Sequence, residues 1–295
     1  MPVLTPVLNG DAALDVDVPD NALRVLVTGY GPFFRYRINP CWMAVEPLNN
    51  ALLSLDDLPS FPPDGIDFDH PNGAAYDDDP QHVHVTALQL PLTFDAVVET
   101  VPGFHARPPV LPPAVAPHLA PPPEAGYDFI FHIGLAGRGP LRVERLGHKH
   151  GYRIKDTVGQ HAPMLAASST MARTDAAAPA PDIAVEQPLR GFSKGYENYP
   201  EDLHSPIDVE RLVHAMKSFG VDGIYSSMDA GHYVCDFTYY CSLAEARRMA
   251  QKHDKGKHTK VLFMHCPPVD QPLSTEEVTD AIRKIILWVC KGEPR

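Results

Sequence analysis

Apolar residues follow one another along this chain in short stretches that alternate between strand-like and helix-like spacing. Continuous apolar runs predict buried strands at residues 24–28, 83–90, 127–133, 221–225 and 260–265. Apolar residues at helical spacing predict helices that begin near residues 40, 94, 206, 237 and 275. Strands that alternate with helices are typical of an α/β protein. We therefore predict an α/β fold, a single-domain three-layer α/β/α arrangement with a twisted mixed central sheet.

Proline-rich and polar segments interrupt this pattern and set the predicted domain boundaries. Residues 1–21 are predicted to form a flexible N-terminal tail, and residues 22–295 to form the domain. Three segments, near 54–80, 105–126 and 160–204, are predicted to be inserted loops. The second is too rich in proline to form a helix or a central strand.

Composition narrows the classes of function. The 295 residues carry a net charge of −12, which disfavours nucleic-acid and anionic-membrane partners because both require clustered Lys and Arg. No apolar run approaches the ~18 residues of a membrane-spanning helix. The five cysteines include no C-x-x-C pair, so we expect neither a zinc ribbon nor a disulfide framework, and we expect a reducing compartment. The first twenty residues contain four Asp and no Lys or Arg, which leads us to expect a cytoplasmic protein.

Cys235 lies between a predicted strand end and a predicted helix. Gly231 permits a tight turn between the two elements, which places Cys235 at or near the first turn of the helix. The N-terminus of a helix stabilises a thiolate, and its unpaired N–H groups can bind an oxyanion. Most free cysteines are small buried apolar residues, so this position by itself leaves the structural explanation open.

Two further residues complete a candidate catalytic set. His265 ends the predicted strand at residues 260–265, a place where α/β proteins position reactive groups. An imidazole there can act as the base for a thiol. Glu144, after the strand at residues 127–133 and a glycine-rich turn, is a candidate to orient that imidazole.

Four blocks of this sequence together resemble pyroglutamyl peptidase type I, a family of cysteine peptidases. They lie at residues 29–42, 142–152, 229–236 and 263–268. The third reads Asp-Ala-Gly-His-Tyr-Val-Cys-Asp and resembles the family's nucleophile motif, and the fourth, Phe-Met-His-Cys-Pro-Pro, resembles its histidine motif. Four blocks in the family's order are far more specific than any one of them.

The resemblance implies a function and a set of residues. It implies a cysteine omega-exopeptidase that removes an N-terminal pyroglutamyl residue from peptides, through Cys235 as nucleophile, His265 as base and Glu144 as the third member of a triad. It implies that Tyr30 and Phe33 line the slot for the substrate ring, and it implies no cofactor and no metal. Phe34 and Arg35 depart from the small residues that the family often has, and Cys41 stands where it usually has Ser. The oligomeric state and the natural peptide stay open.

Other functions remain as alternatives. A non-catalytic relative that binds N-terminally blocked peptides would explain the departures at Phe34 and Arg35. A nucleotide-binding protein is disfavoured, because the glycine pattern after residue 28 fails at Phe34 and Pro32 lacks an N–H for phosphate. His82 and His84 share a strand face, but with no further ligand at suitable spacing we expect an edge-exposed pair rather than a metal site.

Overall fold

The five predicted strands and two short strands that the apolar pattern does not predict, β2 (Leu52–Ser54) and β5 (Leu141–Glu144), form one central sheet. The computed structural model of the chain describes residues 17–58, 80–115, 119–165, 189–252 and 258–292. The strands are β1 (Leu23–Tyr30), β2 (Leu52–Ser54), β3 (His82–Leu90), β4 (Phe129–Leu135), β5 (Leu141–Glu144), β6 (Leu146–His148), β7 (Asp202–His204), β8 (Ile224–Ser227) and β9 (Lys260–Cys266). Seven of them form the sheet in the order β2-β3-β1-β4-β9-β5-β8, and β6 pairs with β7.

The sheet is mixed, as predicted. β1 runs parallel to both β3 and β4, and β4 runs parallel to β9. β2 and β5 run antiparallel to their neighbours β3 and β9. The carboxyl ends of β1, β3, β4 and β9 therefore meet along one edge of the sheet, which is where open α/β sheets place their sites.

Helices cover the sheet and complete the predicted three-layer α/β/α fold. They are α1 (Pro40–Val45), α2 (Phe94–Phe104), α3 (Val209–Ser218), α4 (Val234–Lys252) and α5 (Thr275–Lys291), with 3₁₀ turns at Glu46–Leu48 and Leu55–Asp57. Helix α2 packs against α4, while α1 and α3 pack against α5. The strands between these helices are almost fully buried, which explains their continuous apolar runs.

Helix starts follow the capping signals with one exception. Asn39 caps α1, and Ser274 and Glu277 form a capping box at the start of α5. The helix predicted to begin after Ser205 instead begins at Val209 and is capped by Asp208. The Ser205 hydroxyl donates to the Val261 carbonyl at 2.8 Å, so Ser205 anchors the preceding turn to β9 rather than capping the helix.

Two segments differ from the sequence-based expectation. The stretch around residues 191–202 joins the core, where Phe192 stacks on Phe237 with ring centroids 4.0 Å apart. His84 is fully buried in β3, between β2 and β1, so the expectation of an edge-exposed histidine pair is wrong. The short strand β2, at the start of the first predicted insertion, covers that side of β3.

Much of the predicted tail and insertions lies outside the described residues. This applies to residues 1–16, 59–79, 116–118 and 166–188. The described remainder of the proline-rich segment contains no helix or strand after α2 ends, as its composition predicts. Within the described part of the chain, no helix is both long and apolar enough to cross a membrane.

Buried histidines make the fold acid-sensitive. Burial lowers the pKa of His84 to about 4 and those of His105 and His132 to about 3. In the unfolded chain each titrates near ~6.5. Stability from these neutral rings is therefore fully present above about pH 6.5 and is lost as the pH falls toward their folded values, by about 1.4 kcal/mol per pH unit and ring. The hydrogen bond to Asp236 raises the pKa of His148. The stability that this pair contributes is therefore present at low pH and is lost as the pH rises through the folded-state pKa of His148.

We expect the free energy of unfolding, measured by urea titration, to fall steeply between pH 6.5 and 4.5. His84→Leu should lower the number of protons taken up on unfolding by about one, and with it this slope, because it removes one ring that becomes protonated only on unfolding. His204→Asn, at an exposed position, is the matched control and should leave the slope unchanged. Equal stability at pH 6.5 and 4.5 would contradict the assignment.

Candidate functional site

Cys235 is the second residue of α4, as the sequence predicts. The preceding turn is formed by Asp229, whose side chain accepts from the N–H of Gly231 at 2.8 Å, and Gly231 has a positive φ of 74° that a side chain would strain. This turn aims the first turn of α4 at the ends of β4 and β9. The Cys235 side chain is buried against them.

Gly134, near the end of β4, makes this approach possible. A Cβ placed on Gly134 would lie 2.8 Å from Cζ of Phe263 and 3.1 Å from Sγ of Cys235. The first distance is shorter than real Cβ contacts. The sulfur therefore lies directly over the backbone of Gly134.

His265 is the neighbour of Gly134 in the sheet. The two residues are register partners on the parallel strands β4 and β9, which are separated by about 4.8 Å. Register partners present their side chains to the same face of a sheet. His265 and the sulfur of Cys235 consequently share one face, side by side.

Glu144 reaches His265 from the other side. Glu144 pairs with Phe263 across β5 and β9, so His265 is its diagonal neighbour on the same face. The Oε1 atom accepts from Nδ1 of His265 at 2.7 Å. Both side chains are almost fully buried, and Oε2 has no hydrogen-bond partner among the described residues.

The structure thus joins two of the three predicted side chains directly and places the third beside them. Among the described residues, the thiol of Cys235 makes no hydrogen bond to the imidazole. Burial raises the pKa of the Cys235 thiol, and the nearby Cys41, Asp236 and Glu144 raise it further, while its own backbone N–H lowers it. Burial therefore opposes the stabilisation of a thiolate that a position at a helix N-terminus is expected to provide.

The two aromatic residues predicted to line a slot have different environments. Tyr30 is fully buried at the end of β1, and its backbone N–H contacts the sulfur of Cys41 at 3.3 Å. Phe33 is half-buried, and its ring centroid lies 6.2 Å from that of Tyr233, two residues before Cys235. Phe34 is 96% exposed with a positive φ of 53°. Phe33 is therefore the predicted slot residue that an incoming ligand can reach in this structure.

Sequence reasoning missed the polar network around Asp236. This carboxylate is completely buried directly after Cys235, and it accepts from the backbone N–H of His148, from Nδ1 of His148 and from the Tyr152 hydroxyl at 3.2, 3.1 and 3.0 Å. The first-turn acid of α4 is thereby held against β6. The signal available in the sequence was a charged residue within an otherwise apolar helix face.

Comparison with known proteins finds relatives that match most of this chain. The chain is 24% identical to human pyroglutamyl-peptidase 1 over 264 residues, which cover 89% of this chain and 87% of the human protein. The rat protein of the same name is 25% identical over the same extent. The resemblance to the pyroglutamyl peptidase I family is confirmed. A human pyroglutamyl-peptidase 1-like protein matches over a shorter stretch, with 36% identity over 98 residues.

Solved structures of pyroglutamyl peptidases have the same fold. That of Bacillus amyloliquefaciens pyroglutamyl peptidase I superposes with a TM-score of 0.56 and 20% identity, over 91% of this chain and 97% of its own. A mutant pyrrolidone carboxyl peptidase from Pyrococcus furiosus gives a TM-score of 0.56 at 18% identity, over 92% and 100%. No family model matches the chain.

We expect Gly134→Ala to disrupt this site. The added methyl group must displace Phe263 or Cys235, at a cost on the order of 1–3 kcal/mol in the free energy of unfolding. Gly137→Ala is the matched control, since a Cβ there meets nothing within 4 Å. Thermal unfolding of both variants beside the unsubstituted chain measures the difference. Equal stability of the two variants would show that α4 does not approach β4 as closely as described.

Proposed function

We propose that this protein is a cysteine omega-exopeptidase that hydrolyses the bond after an N-terminal pyroglutamyl residue. The observation that carries the proposal is the buried contact between Glu144 and His265, with the sulfur of Cys235 over the adjacent Gly134. The relatives named pyroglutamyl-peptidase 1 supply the substrate class. Glu144, His265 and Cys235 come from β5, β9 and α4, and packing of the apolar core does not by itself require these polar groups to lie together.

The reaction begins with attack by Cys235 on the carbonyl carbon that joins pyroglutamate to the next residue. Glu144 binds Nδ1 of His265, which leaves Nε2 as the nitrogen that accepts the thiol proton. His265 then gives this proton to the departing amine as the carbon–nitrogen bond breaks. The product is a thioester on Cys235, and water activated by His265 hydrolyses it to free pyroglutamate and the thiol.

The raised pKa of the Cys235 thiol makes the imidazole necessary in the proposed reaction. In this proposal His265 removes the thiol proton as Cys235 attacks the carbonyl carbon. The hydrogen bond between the thiol and Nε2 then forms when substrate binds, since catalytic hydrogen bonds are often long in free enzymes. Glu144 stabilises the imidazolium that results, and the free N–H groups in the first turn of α4 bind the oxyanion.

Aromatic residues form the expected binding surface for the ring. Phe33 and Tyr233 lie beside the first turn of α4, and a pyroglutamyl ring is flat and largely apolar, so it packs well on them. Tyr30 is fully buried, so in this proposal it contacts the ring only if the core opens. Cys41, Cys235, Cys241 and Cys266 form no disulfide, which fits a reducing compartment such as the cytoplasm.

We expect the protein to release a fluorescent amine from a pyroglutamyl amide, and Cys235→Ser to abolish this release. Cys290→Ser, which removes a half-buried cysteine at the end of α5, is the control and should retain activity. Folded, reduced protein without activity that still binds the pyroglutamyl amide would favour the alternative, a non-catalytic relative that binds N-terminally blocked peptides.

We expect Glu144→Gln to keep the fold but to lower kcat by a factor on the order of 10³–10⁴, as loss of the triad acid does elsewhere. Glutamine preserves the shape but loses the charge that stabilises the imidazolium. KM should change little, because the side chain does not face the substrate. The control is Glu210→Gln, which removes the charge of the exposed ion-pair partner of Arg145 and should leave kcat unaltered. A kcat for Glu144→Gln within threefold of the unsubstituted value would exclude the assigned role.

A further inference from the structure

A second cluster of chemically active side chains lies behind the candidate site. His148 at the end of β6, His232 before α4 and Asp236 in its first turn each direct one ligand atom toward the others, and these atoms all lie within 4.8 Å. The Nδ1 atoms of His148 and His232 lie 3.1 and 3.6 Å from Oδ2 of Asp236. The two imidazole rings are 4.6 Å apart between centroids.

The two separations from the Asp236 carboxylate match the edges of a metal site. Ligand atoms at about 2.0–2.1 Å from a tetrahedral zinc ion lie about 3.3 Å from one another. The contacts of 3.1 and 3.6 Å bracket this edge length. Two imidazole nitrogens and one carboxylate are also a donor set that zinc uses in open sites, with water in the fourth position.

Hydrogen bonding explains only part of the arrangement. His148 and Tyr152 already provide donors to Asp236. His232 adds a nitrogen at 3.6 Å, which is too far for a hydrogen bond. Gly151 lies beside the His232 ring, since a Cβ on Gly151 would be only 3.3 Å from Nδ1 of His232. The missing side chain of Gly151 therefore leaves room next to this nitrogen.

An ion can reach the cluster from solvent. The His232 side chain is 46% exposed and that of His148 21%, while Asp236 is buried. The buried carboxylate supplies negative charge in a region of low dielectric. The partly exposed imidazoles give a metal ion access to it from solvent. Binding of the ion would displace the protons that these groups carry or share with one another.

We propose that His148, His232 and Asp236 form a binding site for a divalent transition-metal ion of the zinc class. The site is distinct from the candidate triad, and the proposal does not depend on the peptidase function. Tyr152, which donates to Asp236 from beneath, is its supporting residue.

Calorimetric titration of Zn²⁺ into the full chain tests the site, with Cys235→Ser present throughout so that the candidate nucleophile does not bind the metal. We expect one ion per chain. Adding His232→Gln should weaken binding at least tenfold, and adding His150→Gln, a nearby histidine outside the cluster, should not. Because an inactive variant is used, the result is independent of catalysis.

X-ray absorption of the zinc-loaded Cys235→Ser protein identifies the donors. We expect only nitrogen and oxygen neighbours, at about 2.0–2.1 Å, and no sulfur at about 2.3 Å. Affinity that is equal in all three proteins, or a spectrum with sulfur ligands, would overturn the proposal.

Discussion

The close approach of α4 to the sheet is the constraint on which the site depends. Two glycines permit it: Gly134 beneath Cys235, and Gly147, where a Cβ would lie 2.8 Å from the backbone nitrogen of Tyr240. Without side chains at these places, the helix settles onto β4 and β6 and its first turn meets the end of β9. That contact positions Cys235, while the pairing of β5 with β9 positions Glu144 and His265.

This close packing has an electrostatic cost that the surrounding polar groups offset. Asp236 and Glu144 are both fully buried, and a buried carboxylate without partners is strongly unfavourable. Asp236 is surrounded by donors from β6 and Tyr152. The Glu144 carboxylate has one partner among the described residues, His265, for one of its two oxygens. An acid that is only partly satisfied becomes better satisfied when its imidazole gains a proton, which is the change the proposed reaction requires.

The same burial separates the resting state from the reacting state. A thiol at a helix N-terminus is ordinarily expected to ionise readily, but here desolvation and neighbouring acids raise the pKa of Cys235. In the proposed reaction, activation of the thiol comes from the imidazole of His265. The aromatic residues Phe33 and Tyr233 beside this turn would exclude water when a ring occupies the slot, and this would strengthen the interactions within it.

The sequence by itself determined five of the nine strands that the structure describes, the five helices, and the position of Cys235 in the first turn of α4. These features depend on local periodicity and on residues a few positions apart, which the chain displays directly. It also indicated Glu144, Cys235 and His265 through four short blocks. Only the tertiary structure decided that His84 is buried and that residues 191–202 join the core. It alone brought His148, from β6, against His232 and Asp236 at the start of α4. Those outcomes depend on which strands become neighbours and how closely a helix approaches them, and such contacts between distant segments leave no periodic trace in the sequence.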